Sequence, residues 1–305
     1  MLLFYQKKYE YGLAGAYYFH KGESTNAYEL LGSHRISEKN GVYCYSFVFL
    51  EKDAFCVKLV GDFNDRKELP MKRLGKDGLW YALYESKFCI EGAPYQYRVY
   101  RKNGTFEMRE DPFAYVSRTE KLISSVPDEL AFDWNDKKYM SKLKNRSKKL
   151  RLPISIYRAC PEFKENYREF GERQASYAKE HGVTHVKLSC VLETCESEDF
   201  FGCFSPSSCH GSASDFACFV NTLHASNIGL ILDFNLNKIS DTPENRSLLF
   251  SCFSFWVRKY HVDGFFVSAD AFSECPQLVS RLKAILRTQL PGALIIVDRE
   301  LWNGL

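Results

Sequence analysis

No run of about 18 apolar residues occurs in the 305-residue chain, so no segment has the length of a membrane-spanning helix. The opening residues, Met1 to Lys8, lack the apolar stretch of a secretory leader, and the expectation is a cytosolic protein. There are 11 cysteines but no Cys-x-x-Cys pair, which removes the commonest zinc signature. Their apolar settings, as at Cys44, Cys56, Cys190, Cys218 and Cys252, are those of buried thiols in a reducing compartment. One-sided charge is missing too. The net charge is only +3, and the single basic run, Lys142 to Arg151, reads as a solvated linker. No nucleic-acid partner, membrane partner, metal or cofactor is expected.

Aromatic residues are abundant at 15%, with 24 Phe and 19 Tyr. They serve either to fill a core or to stack on the C–H face of a sugar. Residues 40–110 read as short β segments, Val42–Leu50, Phe55–Val60, Leu79–Leu83 and Tyr95–Tyr100, separated by Gly- and Asn-containing turns. That spacing predicts a small β-sandwich of immunoglobulin-like type. From residue 152 strands alternate with helices. The strands are Ile154–Tyr157, Val183–Cys190, Leu230–Phe234, Gly264–Ser268 and Leu294–Val297. The helices are Tyr167–His181, Ser212–Asn227, Glu244–Tyr260 and Cys275–Leu290, with Ser212 or Ser214 as the N-cap of the second. This is the repeat of a parallel (β/α) barrel, incomplete and ending after its fifth strand. The expected organisation is a lead-in segment (1–35), a carbohydrate-binding-type sandwich (36–118), a linker (119–151) and a partial barrel (152–305).

Residues 259–270 read Lys-Tyr-His-Val-Asp-Gly-Phe-Phe-Val-Ser-Ala-Asp. The segment resembles the fourth barrel strand of bacterial glycogen branching enzymes of the α-amylase superfamily, glycoside hydrolase family 13, whose pattern is Tyr-His-x-Asp-Gly-x-Arg-Val-Asp-Ala. The likeness extends along the chain. Ala27 to His34 is similar to the family's Ala-Tyr-Glu-x-Leu-Gly-Ala-His, and Val60 to Asn64 to the hairpin of its glucan-binding sandwich. Asp111 to Ala114 matches the exit from that sandwich, and Gly229 to Asp233 the third barrel strand.

The resemblance implies chemistry that this chain departs from. Retaining cleavage of a glucan uses a carboxylate nucleophile and a carboxylic acid about 5–5.5 Å apart. Ser268 stands at the nucleophile position and Phe266 at that of the neighbouring Arg; Lys238 replaces a sugar-contacting His, and Asp298 falls where the family has its Glu acid. Asp270 and Glu300 lie two residues beyond Ser268 and Asp298 and are the candidate substitute pair. Asp233 is the surviving sugar contact that the resemblance implies, with Phe200 and Phe201 in the loop after strand two. On the sandwich, Trp80, Tyr95 and Tyr97 are candidates for a glucan platform, while Arg66 stands where the family hairpin carries Trp. His185 and His261 read as structural residues flanking strands.

The expectation is a non-catalytic homologue that binds α-glucan or a partner. The alternatives are an active or split transglycosylase completed by another polypeptide, and a degenerate gene product. The inner face of an open barrel would expose Val186, Leu188, Ile231 and Val267, which predicts self-association or a covering partner.

Overall fold

The computed structural model describes residues 13–118, 122–127, 132–146, 153–162, 165–189, 202–234, 240–268, 272, 276–289 and 291–297. The chain divides into two compact units, the first comprising 1–129, 199–204 and 242–251 and the second 130–198, 205–241 and 252–305.

The first unit begins with helix α1 (13–20). Its sandwich is built from β1 (Gly32–Lys39), β2 (Val42–Leu50), β3 (Cys56–Gly61), β4 (Leu69–Pro70), β5 (Lys72–Leu74), β6 (Leu79–Ser86), β7 (Tyr95–Tyr100) and β8 (Phe106–Arg109). Two antiparallel sheets result, ordered β1-β2-β6-β5 and β4-β3-β7-β8, followed by a hairpin of β9 (Tyr115–Arg118) and β10 (Leu122–Ser125). Alternation explains the core. Tyr45, Phe47 and Phe49 of β2 point inward with Val57 and Leu59 of β3, Trp80 and Ala82 of β6, and Tyr95, Tyr97 and Val99 of β7. Phe49 stacks on Tyr97 with centroids 4.3 Å apart, and Phe47 meets Tyr95 edge-on at 5.1 Å. In the turn after β3, Asp65 and Arg66 both take left-handed backbone (φ 57° and 56°). Gly61 precedes them because a Cβ there would lie 2.3 Å from the Phe63 ring.

The second unit is a five-stranded parallel sheet: β11 (Ile156–Ala159), β12 (His185–Leu188), β13 (Gly229–Phe234), β14 (Gly264–Val267) and β15 (Leu294–Val297), paired in chain order. Helix α2 (Lys137–Arg146) leads in, and α3 (Tyr167–Glu180), α4 (Ala213–Ala225), α5 (Pro243–Tyr260) and α6 (Gln277–Gln289) are the crossovers. This order of β/α units is that of a barrel wall. Asn166 caps α3, and Ser212 caps α4 in a reciprocal box with Asp215. The α4 helix ends two residues before its expected end, because Asn227 takes left-handed backbone (φ 59°) to turn the chain into β13. At Gly264 a Cβ would lie 2.7 Å from the Leu294 carbonyl oxygen, so β14 and β15 approach closely only without a side chain there.

The register corrects one expectation. Val186, Leu188 and Val267 do not line an exposed inner face; they lie on the helix-facing side with Leu230, Leu232 and Phe265, and all are buried. Phe265 packs on Phe253 of α5 at 4.2 Å, and Tyr157 on Tyr177 of α3 at 4.6 Å. Ile231 lies on the opposite face but is buried as well. That opposite face carries Arg158, Lys187, Ser189, Asp233 and Phe266, a largely polar set. Among the described residues, the most exposed apolar side chains on and beside this sheet are at its β11 edge, where Ile156 is 40% exposed and the preceding Ile154 is 44% exposed, while Leu294–Val297 of β15 at the other edge are half-buried.

Candidate functional site

At the C-terminal ends of β11 to β14 the opposite face of the sheet gathers one network. The Asp233 carboxylate accepts the Ser189 hydroxyl at 2.8 Å and the Lys187 ammonium at 3.1 Å, both on Oδ2. Arg158 Nε donates to Ser189 Oγ at 3.1 Å. Lys187 Nζ also lies 3.3 Å from the centroid of the Phe266 ring, in direct cation–π contact. The side chains of Lys187 and Asp233 are 14% and 20% exposed, so the pair is largely removed from water. Ser268 follows β14 and is half-buried. Asp298, Asp270, Glu300, Phe200, Phe201 and Lys238 lie outside the described residues. Within the described part of this site, the one carboxylate is neutralised by an amine of the same chain. Two free carboxyl groups flanking a glycosidic bond, as retaining hydrolysis uses, are not found there.

The N-terminal ends of the same strands hold a second polar cluster. His224 presents Nε2 to Asp263 at 3.0 Å and Nδ1 to Asp136 at 2.9 Å. Both ring nitrogens face carboxylates, so both donate and the ring is an imidazolium. Burial works against that charge, but the two carboxylates outweigh it and raise the His224 pKa to about 9. Asp263 also accepts the Tyr139 hydroxyl at 2.9 Å and the Leu230 amide at 2.7 Å. His261 bonds Asp136 at 2.7 Å and stacks on Trp134 at 4.0 Å. His224 and His261 hold Asp136 well below the ordinary carboxylate range in spite of its burial. Both ring nitrogens of His224, Nδ1 of His261, Oδ2 of Asp136 and both oxygens of Asp263 are engaged by other parts of the fold, and the relay so joins the segment before α2 to the sheet.

The sandwich contradicts the expected platform. Trp80, Tyr95 and Tyr97 are 4%, 1% and 0% exposed and form the core. Trp80 Nε1 donates to the Glu51 carbonyl at 2.9 Å. Both tyrosine hydroxyls donate at 2.8 Å to Oδ2 of Asp111, whose burial pushes its carboxyl up to about 6. None of the three can stack on a sugar.

The alternate residues of β7 can. Gln96, Arg98 and Tyr100 face away from the core, beside Lys58 of β3 and Phe106 and Met108 of β8. Phe106 is 55% exposed and Met108 37%. Arg98 lies over the Phe106 ring at 4.7 Å and Lys58 over the Tyr100 ring at 4.8 Å. Glu68 ties the cations together: Arg98 bonds it at 2.6 Å, Tyr100 at 2.7 Å, and Lys58 completes the set. The Lys58, Tyr100 and Arg98 contacts pull the Glu68 carboxyl down to about 2. Arg66 instead pairs with Asp62 at 2.7 Å in its own turn. The signal for this surface was present in the sequence, since polar Gln96 and Arg98 mark the outward phase of β7 and place Tyr100 with them.

Among the described residues no helix is long and apolar enough to cross a membrane, and no group of His, Cys, Asp and Glu has the arrangement of a metal site.

Residues 30–114 match the carbohydrate-binding module 48 family, described as the isoamylase N-terminal domain. The 1,4-alpha-glucan branching enzyme GlgB of Aquifex aeolicus is 34% identical over 312 residues, covering 84% of this chain and 48% of that enzyme. The corresponding enzyme of Bacillus subtilis is 28% identical over 309 residues, with 84% and 48% covered. The catalytic module of the pneumococcal glycogen-degrading virulence factor SpuA shares the fold at TM-score 0.68 and 17% identity, covering 88% of this chain and 50% of that one. Pullulanase type I of Bacillus subtilis, solved with maltose, superposes at TM-score 0.66 and 17% identity, with 88% and 46% covered. The chain thus spans about half the length of the curated relatives it matches. A module-48 sandwich and this identity along most of the chain make it a homologue of bacterial 1,4-alpha-glucan branching enzymes spanning about half their length, and its fold is shared with a glycogen-degrading catalytic module and a pullulanase.

Proposed function

We propose that this chain binds α-glucan without cleaving it, and that the outer face of the sandwich is the binding surface. The observation that carries the reading is the exposed Phe106 ring, bordered by Tyr100, Met108, Arg98 and Lys58 and braced by Glu68. A half-exposed aromatic face stacks on the C–H face of a glucose unit, and the flanking guanidinium and ammonium groups donate to its hydroxyls. The module-48 match and the maltose-bound pullulanase support this choice of ligand. Absence of cleavage is supported by Ser268 at the nucleophile position and by the ion-paired state of Asp233. The burial of Cys44, Cys203 and Cys252 supports a reducing, cytosolic setting.

Affinity electrophoresis in glycogen gels, combined with iodine absorbance and reducing-end assays on amylose, tests both halves. Retardation without turnover is expected. Sustained turnover by the pure protein would reject the non-catalytic half, and unretarded migration would reject the binding half. A second reading, association that covers the sheet edge, is favoured by exposed Ile154 and Ile156 on and beside β11. Light scattering separates an assembly from a monomer.

A further inference from the structure

The network at the strand ends answers a question raised by Phe266. Asp233 and Phe266 are direct register partners on adjacent strands β13 and β14. A cation at position 266 would therefore lie beside the Asp233 carboxylate, strands being about 4.8 Å apart. Phe266 supplies none. The amine of Lys187 comes instead from the other side, from β12, whose residue 187 is paired with Ile231, two residues before Asp233 on the same face. Its Nζ reaches both the Asp233 carboxylate at 3.1 Å and the Phe266 ring at 3.3 Å. The charge thus occupies the space between the two partners, and the Phe266 ring serves as its apolar support.

We propose that Lys187 is a surrogate cation: the positive charge absent from β14 is supplied by β12, and it closes the strand-end carboxylate into an internal ion pair. Lys187, Asp233, Phe266 and Ser189 then act as one unit, held further by Arg158 through Ser189. The face becomes a stabilising part of the sheet, and its carboxylate is held by the protein itself. This holds whether or not the sandwich binds glucan.

The proposal makes a signed prediction. Lys187→Met strands Asp233 without its cation in a largely dehydrated place, and the melting temperature of the second unit should fall by about 5 °C. Phe266→Arg alone should also lower it, because two cations then crowd one carboxylate and the ring support is gone. Combined, the two substitutions should recover at least half of the Lys187→Met loss, since the guanidinium now pairs with Asp233 from its register position. Asp233→Asn in the Lys187→Met background should recover part of the loss by removing the stranded charge. Losses that simply add in both double variants would overturn the proposal. Should Lys187→Met fail to fold in the full chain, recovery of folded protein in the Lys187→Met, Phe266→Arg pair supports it. Failure of both double variants to fold overturns it.

Discussion

The outer face of the sandwich and the strand-end face of the parallel sheet use the same three ingredients to opposite effect. Each has an aromatic ring, a cation lying over it and a carboxylate that neutralises the cation: Phe106, Arg98 and Glu68 on the one, Phe266, Lys187 and Asp233 on the other. On the sandwich the guanidinium stands 4.7 Å from the ring centroid, and more than half of the Phe106 surface stays open. On the sheet the ammonium is 3.3 Å from the centroid, and its partner carboxylate is 20% exposed. Residue type alone does not make a binding surface. What separates the two is how much of the ring stays open beside its cation: more than half of Phe106, whereas Phe266 is half-buried under a closer one.

The largest expected effect tests how far the sheet depends on internal polar pairing. Asp263→Ala removes the acceptor of Tyr139, His224 and Leu230 at once, and should cost about 3–5 kcal/mol by leaving a buried imidazolium half-paired. Denaturant melts read it, and a loss below about 1 kcal/mol would mean that the relay is not a stabilising element. The glucan surface of the sandwich should be unaffected.

The pH dependence sharpens the same contrast. His224 has a folded pKa raised to about 9, above its unfolded value near 6.5. Its contribution is therefore complete below about pH 6.5 and is lost as the pH rises through about 9. Asp136 is shifted downward, so its contribution is present above about pH 4 and is lost only on acidification below that. The second unit should accordingly lose melting temperature between pH 7 and 9.5, and a His224→Asn variant should lack most of that slope. An unchanged slope in the variant would assign the titration to another group.

Tyr97→Phe gives the smallest effect and the cleanest control. It removes one hydroxyl donor from the buried Asp111 and should cost about 1 kcal/mol. Glycogen retardation should not change, because Tyr97 belongs to the core. A weakened glycogen interaction at unchanged fold would restore Tyr97 to the binding surface.

Much of the fold was legible in the sequence because its period was clear. All five parallel strands overlap their expected ranges: Val183–Cys190 contains β12, and Gly264–Ser268 contains β14. The errors were of phase. Alternation in β7 shows that Tyr95 and Tyr97 share a face, but not whether that face is core or solvent; Gln96 and Arg98 between them decide it. The same one-residue ambiguity put Val186, Leu188 and Val267 on the wrong side of the sheet. The ion pair of Lys187 with Asp233 was not legible, since it depends on a diagonal between strands whose register is set by tertiary pairing. The relay through Asp136, His224 and Asp263 was hidden for a similar reason, its first two members being 88 residues apart.

The central claim is that glucan is held by the open ring of the sandwich and not by the half-buried ring of the sheet. Titration of maltoheptaose onto the full-length protein and onto two variants, Phe106→Ala and Lys187→Met, tests it directly. The account predicts about a tenfold loss of affinity for Phe106→Ala, the equivalent of about 1.4 kcal/mol of stacking, and no change for Lys187→Met. Affinity unchanged in Phe106→Ala but altered in Lys187→Met would contradict it and move the glucan to the strand ends of the sheet.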